Sequence, residues 1–254
     1  MSPLLFTVYT NDLRWDTQGV LLAKYADDTV IAGLICNNDV QEYLSCIEFV
    51  NSWCSENFLD LNVSKTKEVM LNFRRINVVN QPVIINNLDV DICDTYKYLG
   101  VTIDSRLKFD EHVKVQASKG FKKLYFVRTL YNLNINDDVI AMFFNSIVMS
   151  VLSYGCAAFY GLLSNDLKCK LVKPRKVCCK MLRRSGRSNL IADFNDIYLK
   201  EVKRMTRNIL SDQTHPLHGA FELMPSGRRY RLPHMRTSRF RETFIPTALR
   251  HLNM

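Results

Sequence analysis

Two short apolar runs, Leu21-Leu22-Ala23 and Val30-Ile31-Ala32, stand on either side of a polar centre, Tyr25-Ala26-Asp27-Asp28. Paired runs of this length around turn-forming residues predict a hairpin of two buried strands, with the two aspartates at its turn. Asp suits a tight turn because its carboxylate can accept bonds from nearby backbone N–H groups. Ahead of the hairpin, residues 2–13 place apolar side chains at Leu5, Val8, Tyr9 and Leu13, which predicts an amphipathic helix entered at Pro3 and packed beneath the hairpin. Behind it, Val40, Leu44, Ile47, Val50, Trp53 and Cys54 keep helical spacing, with Asp39 and Glu42 set as in a capping box.

The pattern then shortens. Val69, Leu71 and Phe73 alternate with polar neighbours, predicting a strand over residues 68–74 with one buried face. Apolar residues on both sides of Asn86-Asn87 predict a small hairpin, because Asn tolerates the left-handed conformation such turns need. Residues 96–104 read as one further strand, with Gly100 marking a bulge or a close backbone approach. From Phe109 the period turns helical and stays so, with helices centred on residues 113–127, 139–152, 167–184 and 195–210. Beyond Asp212, Pro216, Pro225, Gly227 and Pro233 predict a loop-rich, extended and basic end. The fold class expected is α+β: a small antiparallel sheet partly covered by helices, followed by a helical half.

Composition adds a division of charge. The chain of 254 residues carries a net +9, but residues 1–167 hold 14 Lys and Arg against 19 Asp and Glu, a net −5. Residues 168–254 hold 20 against 6, a net +14, which points to a polyanionic partner for that end. Lys173, Arg175, Lys176, Lys180, Arg183, Arg184 and Arg187 form one cluster. Arg228, Arg229, Arg231, Arg236, Arg239 and Arg241 form a second, with Tyr230 and Phe240 between them to stack on unpaired bases. A solvated basic surface is the plainer alternative. No apolar run reaches membrane-spanning length, and the N-terminus lacks the basic and small-residue features of a signal peptide. The eight cysteines are scattered, as suits reduced thiols in an intracellular protein. Cys178-Cys179 with His215 and His218 match no zinc-site spacing, so buried thiols and surface histidines are expected.

The chemistry resides in Asp27 and Asp28. Paired carboxylates on a rigid turn suit Mg²⁺, a hard cation that takes oxygen ligands. An acidic turn with no such role reads equally well from this tetrapeptide alone. The order of motifs says more. A helix opening Ser-Pro-Leu-Leu-Phe, the hairpin Tyr-Ala-Asp-Asp-Thr-Val-Ile, the segment Leu61-Asn62-Val63-Ser64-Lys65-Thr66-Lys67 and the strand Tyr98-Leu99-Gly100-Val101 follow one another. In that order they resemble the C-terminal half of the reverse transcriptase of non-LTR, LINE-type retrotransposons. The later helices are similar to the thumb of the same enzymes. The tail, from His215-Pro216-Leu217-His218 to Phe244-Ile245-Pro246, is similar to the end of animal LINE-type reading frames.

The resemblance implies a partial palm at residues 1–103, a thumb-like region at 104–160 and a basic C-terminal region at 161–254. It implies two-metal nucleotidyl transfer with Mg²⁺, an RNA template, and a DNA primer or target. Asp27 would be a shared metal ligand, Asp28 an accessory one, and Lys65 a proton donor to pyrophosphate, with Lys67 as the alternative. Tyr98, Leu99 and Gly100 would form the primer grip. The fingers and the strand bearing the partner aspartate lie upstream of the Ser-Pro-Leu-Leu-Phe helix in that family. The expectation is therefore a remnant inactive by itself, with an uncovered sheet edge that promotes self-association. The alternative is a non-catalytic nucleic-acid-binding module. The family implies action in the nucleus. The helical stretch 117–153 is also similar to an N-terminal segment of AlkB-type dioxygenases, but no His-x-Asp or His-x-Glu accompanies it.

Overall fold

The computed structural model describes residues 3–73, 82–182 and 188–254, so Ser2, Arg74, Arg183, Arg184 and Arg187 lie outside the described residues. The chain divides into two compact units, Met1–Asp94 and Thr95–Met254.

The first unit is built on the hairpin. Strand β1 (Val20–Tyr25) pairs antiparallel with β2 (Asp28–Gly33), Val20 opposite Gly33 and Tyr25 opposite Asp28. Strand residues alternate faces, so Val20, Leu22 and Ile31 share one side. That side packs on helix α2 (Gln41–Glu56) in a cluster centred on Leu13, Cys46, Val50, Trp53 and Cys54. A second small cluster joins Ile47 to Val83, Ile85 and Val90. There Ile84–Ile85 (β4) turns through Asn86 and Asn87, at φ 52° and 60°, into Leu88–Asp89 (β5), as their sequence predicts.

Three expectations fail in this unit. Helix α1 (Pro3–Tyr9) forms, but Leu4, Leu5, Val8 and Tyr9 are exposed; only Thr10 and Leu13, after the helix, are buried. The strand expected over residues 68–74 is not seen over 69–73, and Arg74 lies outside the described residues. Only Lys67–Glu68 (β3) pairs, in parallel with Asp91–Ile92 (β6), while Leu71 and Phe73 are exposed. No single antiparallel sheet results either. The described strands make four separate two-stranded pairs, one of them parallel.

The second unit starts with a ribbon, β7 (Thr95–Tyr98) and β8 (Val101–Asp104), where the sequence suggests one strand. Leu99 and Gly100 take φ of 44° and 84°, so the glycine makes a two-residue turn rather than a bulge. Asp104 ends the ribbon. Burial works against its charge, but backbone N–H groups of Lys108, Phe109 and Arg106 hold its carboxyl below the usual range.

Helix α3 (Asp110–Asn132) follows. Next, α4 (Asp137–Phe143) runs through a π-helical turn, Phe144–Met149, into α5 (Ser150–Ser153). Short α6 (Cys156–Phe159), then α7 (Asn165–Leu182) and α8 (Phe194–Ser211), complete one continuous core with α3. Phe144, Phe159, Leu152, Leu171 and Phe194 are fully enclosed in it. The end beyond Asp212 reads from its sequence as extended, yet it contains α9 (Ser238–Arg241) and α10 (Phe244–Leu252), whose Ala248 and Leu249 enter the same core. Gly161 permits that docking, because a Cβ there would sit 1.8 Å from the Glu242 carbonyl oxygen. No single helix among the described residues is long and apolar enough to cross a membrane.

Candidate active-site hairpin and nucleic-acid surface

The turn between β1 and β2 is two residues long, Ala26 and Asp27. Ala26 takes φ 53°, a left-handed conformation that costs a non-glycine residue about 1 kcal/mol. The strands below over-determine the turn, so the strain is held rather than relaxed. Tyr25, Asp27 and Asp28 are exposed, and neither carboxylate has a hydrogen bond or ion pair among the described residues. Anchoring comes from beneath, where the Lys24 ammonium donates to the Thr10 carbonyl.

No three His, Cys, Asp or Glu residues are grouped to hold a metal ion among the described residues. The half-buried carboxylate of this unit, Glu68, is occupied differently. Tyr43 donates its hydroxyl to Glu68 Oε1 at 3.2 Å, and burial pushes the carboxyl above its usual range.

Lys65 and Lys67 part ways. A turn closed by Asn62, whose Oδ1 accepts the Lys65 N–H at 3.1 Å, presents Lys65 to solvent with its ammonium unengaged among the described residues. Lys67 is paired with Asp91 and sits in β3.

Tyr98, Leu99 and Gly100 form the tip of the ribbon in the second unit. The tip is held by a residue that no sequence motif singles out: Tyr154 donates its hydroxyl to the Leu99 carbonyl at 2.8 Å. Its ring lies where a Cβ on Gly100 would come within 3.1 Å. One residue below the tip, the ribbon meets another such residue, His112, whose Nδ1 accepts the Thr102 N–H at 3.3 Å. Burial, with Lys119 adding repulsion, pushes His112 down to about 4. Tyr154 precedes Gly155 and His112 follows a strand-to-helix junction, which is the sequence signal they give.

The basic residues divide by what they touch. Lys173, Lys176 and Lys180 are exposed and lie three and four residues apart on one side of α7. Arg175 points inward, 3.3 Å from the Asp193 carboxylate and bonded to the Ala192 and Ile191 carbonyls. Arg183, Arg184 and Arg187 lie outside the described residues. Arg228 and Arg229 are exposed on a turn closed by the Met224 N–H to Arg229 carbonyl bond, and Arg231 lies 4.0 Å from Glu222. Arg236 and Arg241 are exposed, whereas Arg239 donates to the Arg106 and Leu107 carbonyls.

Residues 1–103 match the family described as reverse transcriptase, or RNA-dependent DNA polymerase. The resemblance drawn from the ordered motifs is thereby borne out: residues 1–103 are similar to reverse transcriptases, and relatives of the chain are RNA-directed DNA polymerases of transposons. Among its relatives are three polymerases of Drosophila melanogaster. It is 31% identical over 144 residues to the probable RNA-directed DNA polymerase from transposon BS, covering 52% of this chain and 16% of that protein. It is 26% identical over 200 residues to the RNA-directed DNA polymerase from mobile element jockey, covering 72% of this chain and 21% of that protein. A third match, to the probable enzyme from transposon X-element, is 28% identical over 119 residues and covers 44% of this chain and 13% of that protein. The chain thus spans about a fifth or less of these relatives. No solved structure matches it.

Proposed function

We propose that this chain supplies the part of a retrotransposon RNA-directed DNA polymerase that runs from the acidic palm hairpin through the thumb and the basic C-terminal region. The observation that carries the reading is the strained Ala26-Asp27 turn with two unengaged carboxylates, lying inside the segment that matches reverse transcriptases. In this reading residues 1–103 are partial palm, 104–160 thumb, and 161–254 a region that holds nucleic acid. Asp27 is the shared metal ligand and Asp28 stands beside it with an indirect role. Lys65 is the proton donor to pyrophosphate, favoured over Lys67 because Asp91 already engages the latter. The Leu99-Gly100 tip, with Tyr98, meets the primer end. Work on a DNA target places the protein in the nucleus.

The hairpin fits Mg²⁺ in kind but not in number. Carboxylate oxygens are the right donors. A pair of ions bridged for nucleotidyl transfer needs carboxylates from more than one strand. Among the described residues no third acidic, His or Cys side chain joins the pair. Asp27 and Asp28 would hold such ions only in part, and the ions would supply Lewis-acid chemistry to a hydroxyl and a triphosphate; the described residues do not complete their site.

A second reading, a nucleic-acid-binding module without chemistry, is supported by the charge division, +14 beyond residue 167 against −5 before it. Primer extension on an RNA template with Mg²⁺ separates the two. The chain alone is expected to extend nothing. The chain joined to the preceding region of a relative is expected to extend primer, and Asp27→Ala to abolish it. Failure of the joined protein, with template binding intact, favours the binding module. Extension by the chain alone contradicts the incomplete site.

A further inference from the structure

Residues 222–254 hold seven arginines against two glutamates, and most of those arginines are accounted for or solvated. Glu222 faces Arg231, Glu242 is paired with Lys168, and Arg239 is spent on backbone carbonyls. Arg241 and Arg250 have no carboxylate partner among the described residues. Both line one open cleft of about 660 Å³, whose other walls are Leu232, Pro233, His234 and Met235. No acidic side chain lines it among the described residues.

The cleft is built rather than incidental. Arg250 is fixed along one edge: Nε donates to the Pro246 carbonyl at 3.3 Å, and Nη2 to the Arg241 carbonyl at 2.7 Å and to Thr247 Oγ1 at 3.3 Å. Its Nη1 is left unengaged among the described residues. The opposite wall is tied down just before Leu232, where Asn253 brackets Tyr230. Asn253 Oδ1 accepts the Tyr230 N–H at 2.7 Å, and its Nδ2 donates to the Tyr230 carbonyl at 3.0 Å. Beside it, burial, with Lys203 and Arg250 adding repulsion, holds His251 below its usual range.

The free Nη1 of a fixed Arg250 guanidinium, with the Arg241 guanidinium lining the same cleft, offers several N–H donors and two positive charges to a phosphate. The apolar walls offer a flat surface beside it, and the volume exceeds what one nucleotide needs. We propose that this cleft is a nucleotide-phosphate site: Arg241 and Arg250 take the phosphate, and Pro233 and Met235 face the sugar or base. The proposal rests on the nucleic-acid reading of the basic half and is independent of polymerase activity. The phosphate belongs either to a single strand or to a free nucleotide.

The test uses the whole chain, with fluorescein-labelled dT10 followed by anisotropy across a salt series and dTTP followed by calorimetry. Arg241→Gln is the cleaner variant, because only the backbone carbonyl of Arg241 bonds to Arg250, and the substitution keeps it. It is expected to weaken the responding ligand about tenfold and, for dT10, to flatten the log–log salt slope by about 0.7, one phosphate of a single strand. Arg250→Lys keeps the charge and is expected to weaken binding severalfold with the slope unchanged. Loss on dT10 alone identifies a strand as the source, and loss on dTTP alone a free nucleotide; either supports the site. Wild-type affinity and slope in Arg241→Gln for both ligands overturn it while leaving the basic half a nucleic-acid binder. If the wild-type chain binds neither ligand, the reading of the basic half falls and takes the site with it.

Discussion

The two units differ in charge and in how they are held together. Met1–Asp94 holds 6 Lys and Arg against 13 Asp and Glu, a net −7, and its buried apolar residues fall into two small clusters. Thr95–Met254 holds 28 against 12, a net +16, over one core running from Phe109 to Leu249. Both units leave large apolar side chains in water, among them Leu4, Val8, Leu34 and Phe58 in the first and Tyr125, Leu133 and Met142 in the second. Exposed apolar surface of this kind marks faces used for association. The difference teaches that the unit with the candidate chemistry has the smaller, divided core, while the unit with the positive charge has the large continuous one.

The largest expected effect tests that core. Phe159 is fully buried, 5.9 Å from the ring of Phe109 and 4.6 Å from that of His112. Phe159→Ala is expected to destabilise the second unit by about 3–5 kcal/mol. Urea unfolding, followed by hydrogen exchange in each unit, should show the loss from residue 95 onward and leave the hairpin unit unchanged. A loss shared by both units contradicts their separation.

Next comes a pH effect in the second unit alone. His112 is 2% exposed and titrates at about 4 when folded, against 6.5 for the free side chain. Between those values the unfolded chain binds the extra proton, so stability falls as pH drops from 6.5 to 4 and is fully present above 6.5. The loss is at most about 3 kcal/mol, because a tenfold change in proton affinity corresponds to about 1.4 kcal/mol. His112→Gln should flatten this dependence in urea titrations at each pH; an unaltered pH profile would show that another group controls it.

The smallest stability effect is expected at the chemistry. Asp27 and Asp28 are exposed and without partners among the described residues, so Asp27→Asn with Asp28→Asn should change unfolding free energy by less than about 0.5 kcal/mol. A large destabilisation would mean that the carboxylates hold the turn rather than wait for a ligand.

Much of this is legible in the sequence. The β1–β2 hairpin, α2, the Asn86-Asn87 turn and the long helices all carry an apolar period that local burial then satisfies. What fails depends on partners that no period encodes. Val69, Leu71 and Phe73 alternate like a strand, yet Leu71 and Phe73 are exposed, so the alternation does not mark a buried face. Leu99-Gly100 looks like an interruption because the ribbon around it is as apolar on one side as on the other. Helix α10 is hidden by Pro246, which a helix accepts in its first turn, where the N–H has no acceptor.

The candidate site divides in the same way. Motif order singles out Asp27 and Asp28, and geometry leaves both carboxylates unengaged at a turn. Charge counting groups Arg175 and Arg239 with the surface lysines, whereas both are bonded to backbone carbonyls. Counting reads composition; which cations remain available depends on the fold.

The central claim is that the basic unit, not the acidic hairpin, holds nucleic acid. Truncation after Leu167 would not test it, because Leu171, Cys178, Leu182 and Phe194 belong to the core that deletion would remove. The direct measurement is the salt dependence of single-strand binding by the whole chain, compared with Lys173→Gln, Lys176→Gln and Lys180→Gln combined and with Asp27→Ala and Asp28→Ala combined. With about six phosphates neutralised, the log–log slope should be near −4, and the lysine variant should flatten it by about 2. The aspartate variant should leave it in place. An unchanged slope in the lysine variant, or a slope that follows the aspartates, would contradict the account.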